Sequence, residues 1–219
     1  MYLQYDNEAV DYLKRKDKRL GEAIDRIGPI KRRVNPDIFS SVIHHIVGQQ
    51  ISTAAQITVW NRLTTTLGVI NAQNICNMEV SELQSCGITF KKAEYIKDFA
   101  QMVLSGEFDV NALSEMDDRE VIVKLSALRG IGVWTAEMLM IFTMQRPDIL
   151  SYGDLAIHRG MRMLYHHRKI DRVLFEKYRK RYSPYGTVAS LYIWAIAGGA
   201  LPEMKDYAPK KKEAVKVKD

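Results

Sequence analysis

The chain has 219 residues, 47% hydrophobic and 26% charged, the make-up of an ordinary globular protein able to bury a substantial core. Its formal charge of +6 leans toward an acidic partner such as nucleic acid. The two cysteines, Cys76 and Cys86, supply neither the thiolates of an iron–sulfur cluster nor a disulfide framework, so a reducing cytoplasm is the expected setting.

The N-terminus carries charge from Asp6 onward and has no apolar signal core. No run reaches the roughly 18 apolar residues that a membrane span needs. The longest, Ala189 to Leu201, is too short and holds Ser190. A first clear helix runs from Phe39, with Val42, Ile43, Ile46 and Val47 as its buried stripe, Asn35 as its cap and Gly48 at its end. A second starts near Ser52 or Thr53, where Thr53 and Gln56 have capping-box spacing, and buries Ile57, Trp60, Leu63 and Leu67. The next runs from Phe90 to Leu104 and is closed by Gly106.

Asp117 or Asp118 opens a helix with Val121, Ile122, Leu125 and Leu128 on one side. The turn Arg129-Gly130-Ile131-Gly132 leads into a helix carrying Trp134, Met138 and Ile141. Asp154 starts a helix with Ile157, Met161 and Leu164 aligned, and Pro184 with Gly186 marks a break before a last apolar helix ending at Gly198. Residues 210–219, rich in lysine and poor in hydrophobics, read as a disordered basic tail. No alternating strand pattern of useful length occurs.

The stretch Leu128 to Ala136 (LRGIGVWTA) superficially resembles a dinucleotide fingerprint. That fingerprint needs a preceding strand and a third glycine, and here a helix precedes it and Thr135 fills the slot. Two glycines between helices instead permit a tight hairpin with positive φ, after which the amides of the second helix suit a phosphate. Taken alone, the glycines favour a plain structural helix–helix turn. Asp154 stands twenty residues after Trp134 at a helix start, where aspartate is a common cap and also a carboxylate of fixed orientation. His158 to Arg181 holds nine Lys and Arg against two acids, either a solvated face or a set of phosphate contacts. The five histidines lack metal-ligand spacing.

Four strings occur together in order: IVGQQIS (Ile46–Ser52), LRGIGVWTAEM (Leu128–Met138), YGDLAIHRGMR (Tyr152–Arg162) and SPYGTVASLYIW (Ser183–Trp194). In this the chain resembles the helix-hairpin-helix DNA glycosylases of the alkylpurine, 3-methyladenine DNA glycosylase II type, over roughly Asn35 to Gly199. The resemblance implies a catalytic aspartate at Asp154 and a DNA-binding hairpin formed by Leu128, Arg129, Gly130, Ile131, Gly132 and Thr135. It implies an aromatic base pocket at Trp134 and Trp194, with Met138 at a position that is aromatic in some relatives. Trp194, beside Leu191 and Ile193, suits a core equally. Gln50, beside Ile51, falls where the family fills the gap left by a flipped base. Arg129 replaces a usual proline, and Trp134 takes the place of the lysine that bifunctional relatives use as nucleophile.

The expectation is therefore an all-α fold of two helical lobes with a DNA and base cleft between them. One glycosylase domain spans 1–209, with lobes at roughly 35–148 and at 1–34 joined with 149–209. The activity implied is hydrolysis of the N-glycosidic bond of alkylated purines in duplex DNA, without lyase chemistry, by a cytoplasmic or DNA-associated monomer. No cofactor is implied, beyond a structural alkali-metal ion at the hairpin backbone. Two alternatives stand beside it: a glycosylase of the same fold for deaminated or mismatched bases, and a non-catalytic helix-hairpin-helix DNA-binding module.

Overall fold

The computed structural model describes residues 1–209, and the tail expected at 210–219 lies outside them. The described chain is all helical: α1 (Asn7–Lys16), α2 (Lys18–Ile27), α3 (Ile38–Gly48), α4 (Thr53–Leu67), α5 (Ala72–Asn77), α6 (Val80–Ser85), α7 (Phe90–Ser105), α8 (Asp118–Ser126), α9 (Val133–Phe142), α10 (Leu155–Tyr165), α11 (Arg172–Tyr182) and α12 (Gly186–Ala197). A short 3-10 turn, Asn111–Ser114, precedes α8. Among the described residues the β features amount to one isolated antiparallel bridge, Tyr2 to Arg33.

The starts of these helices are written in polar side chains. Asp6, Asp17, Asp37, Ser52, Asn71, Thr89, Asp117, Asp154 and Asp171 each accept from a first-turn amide. Two sequence expectations are corrected here. Asp37 caps α3, accepting from Ser40 N at 3.1 Å, while Asn35 accepts from Asp37 N at 3.2 Å and shapes the turn around Pro36. In α4 Ser52 is the cap, and Gln56 turns back to the carbonyl of His44 at 2.9 Å instead of completing a capping box with Thr53. The buried face of α4 is accordingly Val59 and Leu63, with Ile57 on the surface.

The chain divides into two compact units. The first comprises residues 1–3 and 32–146. Its core forms where α3 and α9 pack together and α7 lies against α3, α5 and α6. Phe39 of α3 stacks on Phe99 of α7 at 5.1 Å between ring centres. Val42, Ile43, Ile46, Ile96, Leu139 and Ile141 are almost fully enclosed, each burial of this kind contributing about 1.5–3 kcal/mol before conformational entropy is counted.

The second unit comprises residues 4–31 together with the described chain from 147 to 209. Here α1 and α2 pack against α12, which also lies along α10. Leu13, Leu20, Ile157, Met161, Phe175 and Tyr192 are among its core residues. Asp17 is 4% exposed and is paired with Arg181. Charge is unequally shared. The first unit holds ten Lys and Arg against twelve Asp and Glu, whereas the second, through residue 209, holds seventeen against twelve.

Candidate functional site

In the first unit, α8 and α9 pack against one another as a helical hairpin closed by residues 127–132. Gly130 takes φ +86°, a left-handed conformation that favours glycine, and a β-carbon there would lie 2.6 Å from the Tyr95 ring. Gly132 has φ −95°, so the expectation of positive φ holds at one glycine and not at the other. Gly132 is the N-cap of α9 and offers no capping side chain. Helix-start amides lack intrahelical partners and carry partial positive charge, which makes this corner suited to an anion.

The side chains of the hairpin divide by burial. Leu128, Ile131 and Thr135 are buried, so they hold the turn and present no side chain to a ligand. Arg129 is exposed, but its guanidinium is bonded to Asp98, lies 4.0 Å from Glu94 and sits 4.7 Å from the centre of the Tyr95 ring. These contacts brace the hairpin on α7 and offset the positive charge of Arg129. What the turn can offer a phosphate is therefore backbone from Gly130 to Val133. Trp134, in the first turn of α9, is 46% exposed. Met138, one turn later, is 4% exposed and packs in the core.

The corner between α3 and α4 adjoins the hairpin. Gly48 leaves room for the Gln56 side chain, whose Nε2 would lie 2.3 Å from a β-carbon. Gln50 adopts φ +57° and is exposed, and Ile51 is 39% exposed. Two residues that sequence reasoning missed hold this corner. Gln49 donates from Nε2 to the carbonyl of Gly130. Lys92 donates from Nζ to the carbonyls of Val47 at 2.9 Å and Gln49 at 2.6 Å. Partial burial moves the Lys92 ammonium below its ordinary pKa. Gln49 lay inside the quoted IVGQQIS string, whereas nothing in the sequence around Lys92 announced its reach.

In the second unit Asp154 caps α10. One carboxylate oxygen accepts from Ala156 N at 2.8 Å and Ile157 N at 2.9 Å. Asp154 is buried, as is the cap Asp17, whereas the caps Asp6, Asp37 and Asp171 are exposed. The segment leading to Asp154 is fastened to the start of α12. Asp148 accepts from Gly186 N at 2.9 Å and from the Ser183 hydroxyl, Ile149 N donates to Thr187 Oγ1 at 3.1 Å, and the Ser190 hydroxyl donates to Ile149 O at 2.9 Å. The SPYGTVAS string thus acts as a bracket for the residues before Asp154. Trp194 is half-buried against the core of this unit.

Four of the nine basic residues of the stretch are paired within the unit. Arg162 makes a two-pronged pair with Asp206 at 2.7 Å, Arg172 and Arg179 share Glu176, and Arg181 holds Asp17. The other five, Arg159, Arg168, Lys169, Lys177 and Lys180, are exposed. Among the described residues no three His, Cys, Asp or Glu side chains form a metal-ligating group, and no helix is long and apolar enough to cross a membrane.

Residues 43–184 match the family described as HhH-GPD superfamily base excision DNA repair protein. The chain belongs to this superfamily. It is 27% identical over 182 residues to DNA-3-methyladenine glycosylase 1 of Schizosaccharomyces pombe, covering 81% of this chain and 80% of that one. It is 24% identical over 169 residues to the putative DNA-3-methyladenine glycosylase YfjP of Bacillus subtilis, spanning 72% of this chain and 58% of that protein. Among solved structures it is similar to a DNA-3-methyladenine glycosidase from Bacillus halodurans, with TM-score 0.85 and 33% identity over 94% of this chain and 97% of that one. The fold is shared with the S. pombe 3-methyladenine DNA glycosylase solved with abasic DNA, with TM-score 0.74, 24% identity and coverage of 86% and 95%.

Proposed function

We propose that this superfamily member is a monofunctional DNA glycosylase that hydrolyses the N-glycosidic bond of alkylated purines in duplex DNA. The observation that carries the reading is Asp154, a buried carboxylate whose position is fixed by two amides at the start of α10. Alkylation at purine N3 or N7 gives a cationic base that is already a good leaving group. As the C1′–N bond breaks, the bonding electrons go to the base and oxocarbenium character develops on the sugar. Asp154 stabilises that charge and takes a proton from the attacking water, leaving a free base and an abasic site.

The remaining roles follow from chemistry. The exposed indole of Trp134 offers a face to a cationic base, a contact worth roughly 0.5–2 kcal/mol. Trp194, half-buried in the second unit, is the other aromatic residue to which the resemblance points, and Met138 is buried in the core of the first unit. The hairpin backbone at Gly130–Gly132 binds a phosphate, and a structural alkali-metal ion bound by hairpin carbonyls is compatible with that use. Gln50, with Ile51, fills the space vacated by the flipped base. Relatives named DNA-3-methyladenine glycosylase support the substrate class. The test is incubation of the purified protein with methylated duplex DNA, then alkali to cleave abasic sites. Strand breaks confined to methylated DNA are expected, and their absence across 3-methyladenine, 7-methylguanine and ethenoadenine substrates would overturn the reading.

A further inference from the structure

The corner that carries Gln50 has little support of its own. It is two residues from the end of α3 and two from the cap of α4, and Gln50 holds a left-handed backbone conformation that non-glycine residues rarely adopt. Such a conformation persists only when its surroundings determine it. Gln49, Lys92 and Tyr95 supply those surroundings, and Lys92 bonds the carbonyl of the peptide just before Gln50. The Gln49 side chain reaches the Gly130 carbonyl, at the apex of the hairpin. Lys92, from α7, donates to the carbonyls of Val47 and Gln49 and so closes the C-terminal end of α3. Tyr95, one turn after Lys92 on α7, lies against Gly130, where its ring would be 2.6 Å from a β-carbon.

We infer that Gln49 and Lys92 are positioning residues that hold the Gln50 corner in fixed register with the hairpin, so that gripping the phosphate backbone and inserting Gln50 occur as one rigid action. This inference rests on the glycosylase reading above. Neither residue touches the reacting bond; both act through the place they give Gln50. Their removal therefore lowers the rate of base release at saturating enzyme and leaves the backbone grip of the hairpin unaltered. A residue that merely supported the fold would lower stability, and a phosphate ligand would lower affinity for every duplex.

The experiment compares wild type with Gln49→Ala, Lys92→Met, Lys92→Arg, Gln50→Ala and the Gln49→Ala/Gln50→Ala double variant. Three quantities are read: single-turnover base release from methylated duplex DNA, affinity for unmethylated duplex, and 2-aminopurine fluorescence as a flipping signal. Gln49→Ala and Lys92→Met are each expected to slow release about tenfold, with unmethylated affinity within about twofold. Lys92→Arg keeps a donor and restores most of the rate. In the Gln50→Ala background Gln49→Ala adds less than about twofold, because the residue it positions is gone. Losses that multiply in the double variant, unchanged release in the single variants, or a parallel loss of plain-duplex affinity would each overturn the inference. Absence of release by wild type would instead overturn the glycosylase reading itself, so the two failures are distinct.

Discussion

Helix α10 lies so close to α12 that a β-carbon built on Gly160 would stand 2.2 Å from the carbonyl oxygen of Ile193. That obstacle is backbone and cannot swing aside as a flexible side chain would. Gly160→Ala should push α10 away from α12 and carry its N-cap, Asp154, with it. Overpacking of this kind costs about 1–3 kcal/mol, less whatever alanine gains in helix propensity. Thermal unfolding should show a lowered midpoint, and base release should fall further than the loss of folded protein explains. An unchanged midpoint would mean that the two helices separate without cost.

The two hairpin glycines should respond in opposite ways. Gly130→Ala meets Tyr95 and adopts a strained φ, so it should destabilise by about 1–3 kcal/mol. Gly132 has extended backbone and open space around its β-carbon, and it occupies a cap position where aspartate is favoured. Gly132→Asp should therefore keep or raise stability by a few tenths of a kcal/mol. Its negative charge would meet the phosphate, so affinity should fall about tenfold or more for lesion and plain duplex alike. Denaturant titration beside DNA-binding isotherms separates the two effects. A loss confined to lesion DNA would place Gly132 in base recognition.

The resemblance puts Trp134 at the lysine place of bifunctional relatives, and an indole cannot form a Schiff base. Incubation with lesion DNA and borohydride should trap no covalent complex. A borohydride-dependent protein–DNA adduct would contradict monofunctional chemistry.

Burial, reinforced by neighbouring His44, lowers the pKa of His45 from 6.5 to about 4. The unfolded chain therefore binds a proton between these values that the folded chain refuses. Stability is full above pH 6.5, falls as the pH drops toward about 4 and loses nothing further from this group below that. The loss is on the order of 3 kcal/mol. His45→Gln should remove most of the difference between unfolding free energies at pH 7 and pH 4.5. An equal acid loss in this variant would assign it to other groups.

Much of the helical frame was legible because its signals are local. Asp117 with Glu120 forms the capping box that opens α8, Gly106 closes α7 in the left-handed conformation, and Asp154 opens α10. Caps and periodic stripes depend on residues three or four apart, so sequence carries them. The errors arose where a distant partner competed. Gln56 left its expected capping role for His44 in the preceding helix, and Arg129 found Asp98 and Glu94 on α7. Burial of Ile131 and Met138 depends on which helices pack, which local spacing does not specify, whereas Leu128 lies inward as its apolar stripe implies. Gln49 and Lys92 were illegible for the same reason, since Gly130 lies 81 residues from Gln49.

The central claim is that Asp154 stabilises the developing sugar cation. Asn at this position keeps the size of the side chain and can still accept from Ala156 and Ile157 through its amide oxygen, so α10 stays capped. What it loses is negative charge. Single-turnover release from 3-methyladenine duplex by Asp154→Asn should fall by about a hundredfold or more, with DNA affinity and unfolding midpoint close to wild type. A rate within a few-fold of wild type, measured on folded and DNA-bound variant, would show that Asp154 caps a helix and does nothing for the chemistry.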